Sequence, residues 1–180
     1  MRARAHALSL SLFLLWPAWA VAAEPANTSA TAFARLSSLV GTWEGTFEDG
    51  RPHSVTYRLT AGGTVLVETW TLGAARESLT LYHLDGDALV ATHYCPQGNQ
   101  PRLQLSSTPE SPERLAFAFR DGGNLQVKGK SHQHAFWIEL KSRDVFLRSE
   151  TYVENGSNAR SLANAHADAA ITYTRAGSGQ

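Results

Sequence analysis

From Gly41 onward the chain is punctuated by turn residues so often that only strands fit between them. The breaks fall at Asp49-Gly50, Gly62-Gly63, Gly73, Asp85-Gly86, Pro96 to Asn99, Pro109 to Pro112, Asp121-Gly122-Gly123 and Asn155-Gly156. Asp-Gly and Asn-Gly tolerate the positive φ of tight hairpin loops, so each such pair between apolar runs predicts a β-turn. The spacing predicts strands near 41–47, 53–60, 64–72, 76–84, 87–95, 100–107, 113–120, 132–140, 144–153 and 166–175. No long helical pattern separates them, so parallel βαβ units are excluded. Successive strands with short links pair with their neighbours, and a sheet that wide must curl to cover its core and hide its edges. The expectation is an all-β fold, a closed up-and-down antiparallel barrel of about ten strands, with a two-sheet sandwich as the alternative. A barrel of that size is expected to leave an interior cavity.

Before the strands, Phe33, Leu36 and Leu39 repeat at helical spacing, with Thr31 or Ser29 as N-cap and Gly41 as terminator. This predicts a short N-terminal helix over 32–39 that caps one end. Further upstream, Arg2 and Arg4 precede an apolar run from Ala7 to Ala22 that ends in small residues before Glu24. A charged start, a short apolar core and small residues at the cleavage positions read as a secretory signal peptide over 1–23, cut after Ala22 or Ala23. Residues 24–31 then form a polar linker and 32–176 the barrel domain, placed in the periplasm or secreted. The run is too short, and broken by Pro17, for a membrane span. No membrane anchor is expected.

Removing 23 of 180 residues leaves 157, enough for one domain with a real core. Arg2 and Arg4 leave with the signal, so 14 of the 16 basic residues face 16 acidic ones. That balance carries no electrostatic footprint for nucleic acid. Cys95 is the single cysteine, so no intrachain disulfide is available.

Two stretches carry a family likeness. Gly41-Thr42-Trp43-Glu44-Gly45 resembles the Gly-x-Trp opening of lipocalin-like (calycin) barrels, and the last strand ends in Thr172-Tyr173-Thr174-Arg175. The resemblance implies that Arg175 packs over Trp43 as the barrel closes, a cation–π contact. Leu81-Tyr82-His83-Leu84-Asp85-Gly86-Asp87, with Thr92-His93-Tyr94-Cys95 and Gly98-Asn99-Gln100-Pro101-Arg102, is similar to a family of secreted bacterial lipocalin-like proteins. The likeness covers roughly residues 36–153 and implies a fold without an established activity. In shape the chain is also similar to the haem-binding nitrobindin barrel, but no counterpart of the haem-ligating histidine is found here.

The residues able to bind something are few. His132-Gln133-His134 opens the eighth strand, and alternation puts both imidazoles on the face of Phe136, Ile138 and Leu140, at the rim of the interior. Two histidines at i and i+2 suit a metal only with a third ligand, drawn from His83, His93, Cys95 or Glu68. Otherwise they are a hydrogen-bonded rim. His93 and Cys95 share a strand face, and the pattern serves either face as the interior. A lone cysteine is first a small buried hydrophobe. No elbow or partner marks it as a nucleophile, so no catalytic residue is assigned. The amide-rich turn at 96–102 is a turn by its Gly98 and Asn99, and a mouth loop in which Asn99, Gln100 and Arg102 could meet a ligand. Glu68 and Trp70 lie on the face of Leu66 and are read as facing inward.

Three functions follow. The first is an exported barrel binding a small molecule through His83, His93, Asn99, Gln100, Arg102, His132, His134, Glu68 and Trp70. The second is a metal- or haem-binding barrel built on His132, His134 and His93. The third is a cell-envelope interaction module without a pocket. Strand parity places the turn at 96–102 and the start of the eighth strand at one end of the barrel.

Overall fold

The computed structural model describes residues 29–73, 76–106, 111, 113–155, 166–167 and 169–177. The segment read as a signal peptide and most of the expected linker lie outside the described residues. One helix, α1 (Ser29–Ser37), precedes β1 (Gly41–Thr46), β2 (Pro52–Thr60), β3 (Val65–Thr71), β4 (Glu77–Asp85), β5 (Ala88–Tyr94) and β6 (Gln100–Leu105). There follow β7 (Arg114–Gly123), β8 (Ser131–Leu140), β9 (Val145–Glu154), the two-residue β10 (His166–Ala167) and β11 (Ile171–Arg175). Each strand pairs antiparallel with the next from β1 to β9, and β11 bridges β9 back to β1. The sheet is therefore a closed barrel. β10 and β11 lie along the same edge of β9, against Thr151–Tyr152 and Val145–Arg148, and together act as one interrupted tenth strand.

Turn chemistry sets this outcome. β4 and β5 are joined through Gly86 and Asp87 alone, and Gly86 has φ +60, which a two-residue hairpin loop requires at its first position. Two differences from the sequence reading have local causes. The helix starts at Ser29 rather than 32, because Ser29 Oγ donates to the Asp87 carbonyl at 2.7 Å and ties the first turn to a hairpin. Thr31 consequently lies inside the helix. Asp121-Gly122-Gly123 is not a turn but the end of β7, paired with Gln100–Arg102. Gly122 is tolerated there because a Cβ would sit 2.8 Å from the Pro101 backbone.

In an up-and-down barrel alternate turns share an end. Helix α1 covers the end holding the β4–β5 and β6–β7 turns: Ser29 binds Asp87, and Arg35 Nη2 donates to the Glu113 carbonyl at 2.7 Å. The opposite end, with the β1–β2, β3–β4, β5–β6 and β7–β8 turns, is the mouth. At the capped end Trp43 is fully buried, donates Nε1–H to the Leu39 carbonyl at 2.7 Å and meets Phe146 edge-on at 4.9 Å. Arg175, opposite it in the β1–β11 ladder, lays its guanidinium 4.2 Å from the Trp43 ring centre. The closure contact expected between Trp43 and Arg175 is thus present. Gly41 explains its own place in Gly-x-Trp: its φ is +132, and Arg175 Nη1 occupies the space a Cβ would fill.

The interior is fuller than the strand count implies. Stacked pairs Phe146–Tyr173 and Phe117–Phe136, each 4.6 Å apart, with Tyr57 and Tyr82, fill the middle of the barrel. Open space is left at the mouth.

Candidate functional site

Below the mouth the inner wall turns from aromatic to charged. Glu68 on β3, Tyr82 on β4 and Arg148 on β9 are fully or almost fully buried, and all three meet. Glu68 accepts from Trp70 Nε1 and Tyr82 OH, each at 2.5 Å, and from Arg148 Nη1 at 2.7 Å. Arg148 Nε donates to Glu150 Oε1 at 2.8 Å, and Tyr152 OH donates to Glu150 Oε2 at 2.9 Å. The guanidinium also lies over Trp70 and Phe136, 5.1 and 4.6 Å from their centres. Charges of this kind are tolerated inside only when paired and hydrogen-bonded. Here the acids and the guanidinium pair with one another, while Arg148 Nη2, 2.8 Å from Glu150 Oε1, makes an ion pair without a hydrogen bond.

The network sets its own protonation. Burial pushes the Glu150 carboxyl up, but Arg148, His93 and the Tyr152 hydroxyl together hold it below the usual carboxylate range. Burial opposes charge on Arg148 most strongly of all, but Glu68, Tyr82, Glu150 and Tyr57 together outweigh it and hold the guanidinium charged. Burial and Glu68 raise Tyr57 and Tyr82, burial and Glu150 raise Tyr152, and burial raises Tyr173. Burial lowers His53 and His93, which stay neutral near pH 7.

Stability should follow these shifts. A tyrosine raised above its unfolded value of 10.0 contributes stability below that pH and loses it as pH rises. Four buried tyrosines add, at about 1.4 kcal/mol per pH unit each. Folding free energy from urea titrations should therefore fall steeply above about pH 10. On the acid side, the contribution of His53 and His93 is fully present above 6.5 and is lost as pH falls from there toward their lower folded values. A flat profile across either window would contradict the buried placement of these groups.

Two cavities open beside the network and share Phe47, Trp70 and Glu150. One, of about 300 Å³, runs between Phe47, Arg148, Ser149, Ile171 and Tyr173. The other, of about 270 Å³, runs between Leu72, Ser78, His93, Cys95 and Tyr152. Between them Phe47 stacks on His53 at 3.9 Å and His53 on Trp70 at 5.3 Å, while His53 Nε2 is hydrogen-bonded to Tyr173 OH at 2.8 Å. Gly45 makes room for this stack, since a Cβ there would come 2.7 Å from the Tyr173 ring. A wider groove of about 910 Å³ runs over the outer wall beside Glu44, Thr46, Ser54 and Thr172. Its lining is mostly exposed, and it does not border the buried pair of acids.

The residues singled out in the sequence separate into groups. Glu68, Trp70 and His93 face inward, and Trp70 and His93 line the mouth cavities. His93 Nδ1 is hydrogen-bonded to Thr80 Oγ1 at 3.0 Å, and Nε2 has no protein partner among the described residues. His83 lies on the outer face of β4, opposite in alternation to buried Tyr82. Arg102 points outward and holds Asp121 through two hydrogen bonds of 2.5 and 2.7 Å. Asn99 is buried and donates to the Ser131 carbonyl at 2.8 Å, while Gln100 bonds Gly98 and Asn124 within the turn. The turn at 96–102 and the start of β8 do sit together.

His132 and His134 also meet, Nε2 to Nδ1 at 3.3 Å, but not by simple alternation. The β8–β9 register slips between Gln133 and Ala135, making His134 the extra residue of a bulge. The pair packs on Phe119, with His132 Nδ1 bonded to Asn155 at 2.9 Å, and neither lines the two mouth cavities. His93 is not brought to them. Among the described residues no three His, Cys, Asp or Glu side chains converge on a metal position. Burial pushes the Cys95 thiol up, which keeps it protonated and a weak nucleophile.

Sequence reading missed Phe47, His53, Arg148, Glu150, Tyr152 and Tyr173. The available signal was Arg148-x-Glu150-x-Tyr152 continuing the alternation of Phe146, three chemistry-bearing residues on one strand face. Among the described residues no helix is long and apolar enough to cross a membrane. No known protein-family model matches the chain, and no curated protein aligns with it significantly.

Proposed function

We propose that the protein is an exported, lipocalin-like barrel that holds a small organic molecule at its open end. The observation that carries this reading is Glu150: a half-buried, ionised carboxylate bordering both mouth cavities, with hydrogen-bond capacity that no described residue uses. A carboxylate offers about four acceptor positions. Arg148 and Tyr152 supply two donors. Ligand pockets typically combine apolar and aromatic walls with a few converging polar groups, at about 300–1,000 Å³. Each cavity is at or near the low end of that range, and the two adjoin at Trp70 and Phe47. His93, with Nε2 unused, adds a second polar contact beside Glu150.

The test is native mass spectrometry of the protein taken from the envelope of cells that make it, without refolding. The expected spectrum shows a chain beginning at Glu24 or Ala23, carrying a small organic adduct that denaturation releases. Trp70→Ala should lose the adduct while keeping the same N-terminus. A barrel that is empty under every growth condition would overturn ligand binding, an intact Met1 would overturn export, and an adduct of metal mass would restore the histidine reading.

A further inference from the structure

We propose that the mouth receives a small organic cation, in its simplest form an arylalkyl amine, with the ammonium group against Glu150 and the ring along Phe47 and Trp70. This rests on the small-molecule reading above and adds the charge of the ligand.

The charge follows from counting the buried groups. Two carboxylates, Glu68 and Glu150, flank one guanidinium, Arg148; Glu68 and Arg148 are buried and Glu150 is half-buried at the edge of the cavities. His93, beside Glu150, is held neutral by burial. Among the described residues the base of the mouth thus carries one more negative charge than positive. Arg76 borders the His93 cavity but is exposed and makes no ion pair with Glu150. An uncompensated charge in a low-dielectric site is costly, and a ligand cation removes that cost where a second anion would add to it.

The two carboxylates differ in availability. Glu68 already takes three donors and has Tyr82 and Trp70 packed against it. Glu150 takes Arg148 and Tyr152, and it borders both cavities. The three donors of an ammonium group fit its spare acceptor positions. The walls match the rest of the ligand. Their rings already hold cations from the chain itself: Arg148 lies over Trp70, and Arg51 lies 5.3 Å from the centre of Phe47. Arg51 is largely exposed, tethered to exposed Asp49, and sits at the edge of the larger cavity where a ligand cation would enter.

Calorimetric titration of the mature protein with phenethylamine, 2-phenylethanol and 3-phenylpropionate separates charge from shape. The amine should bind roughly tenfold to a hundredfold more tightly than the alcohol, the range of one charged hydrogen bond, and the acid should not bind measurably. Glu150→Gln should abolish the preference for the amine over the alcohol. Amide shifts on amine addition to the unmutated protein should centre on residues 47, 70, 93 and 150, a readout that does not depend on how the variant folds. Equal binding of all three, or preference for the acid, would overturn the cation assignment and leave the small-molecule reading standing. Absence of amine binding up to millimolar concentration also overturns it, whereas the small-molecule reading falls only with an empty native barrel.

Discussion

Replacing Arg148 with alanine should destabilise the barrel by about 3–5 kcal/mol, the usual cost of removing one partner from a buried ion pair. The guanidinium is almost completely buried and is hydrogen-bonded to both Glu68 and Glu150. Its loss leaves two carboxylates facing each other without their shared counter-ion. The cost therefore belongs to the charges left behind more than to the bonds lost, and this makes the experiment diagnostic. Adding Glu68→Gln and Glu150→Gln to Arg148→Met should recover most of the loss, because replacing a buried ionic cluster with neutral groups of similar volume is often nearly neutral. Urea unfolding of the single and triple variants measures both numbers. If Arg148→Ala costs under about 1 kcal/mol, the value of a surface pair, the network is solvated and its buried description is wrong.

Trp43→Ala should cost about 3–5 kcal/mol, as for other fully buried aromatics. Three separate functions of the indole end together. It fills the capped end against Phe146, its Nε1–H satisfies the Leu39 carbonyl after α1, and its face supports Arg175. Arg175 in turn donates to the Val40, Ser38 and Arg143 carbonyls and to Asp144. Trp43→Phe should cost less, retaining the packing and losing the hydrogen bond. Arg175→Ala should fall between that and a neutral change. Thermal and urea unfolding would rank the three. Equal effects of the tryptophan-to-alanine and tryptophan-to-phenylalanine changes would mean that packing contributes little and the hydrogen bond nearly everything.

What the sequence disclosed followed from turn chemistry. Gly86, Gly98 and Gly50 all adopt the positive φ their contexts implied, and the strands between them lie within a few residues of expectation. Strand parity alone places the turn at 96–102 beside His132, since it needs only the order of strands. Arg175 over Trp43 was implied by the resemblance of the first and last strands to lipocalin-like barrels.

Strand faces were harder to read, for two physical reasons. Bulges reset alternation without a compositional mark: the slip at His134 and another at β6–β7 between Arg102 and Leu103 change which side chains share a face. In β9 the pattern misleads outright. Val145, Leu147 and Val153 look like the core face, yet Phe146, Arg148, Glu150 and Tyr152 are the inner row. Binary patterning assumes that a charged residue seeks water. Here the charges find partners on β3 and β4 instead, and those partners are more than sixty residues away in the chain. Local periodicity cannot see such a pairing. Glu68 was readable because Leu66 and Trp70 flank it on the same face.

The interrupted tenth strand has a consequence for how the molecule is assembled in time. β1 forms early in the chain, but its outer neighbour is β11, and only Trp43–Arg175 and Glu44–Thr174 join them. Until residues 171–175 arrive, β1 and β9 both present unpaired backbone edges, the kind of surface through which chains stick to one another. The wall is complete only when its last strand has been threaded in. Until that seam is sewn, both open edges remain available to another copy of the chain.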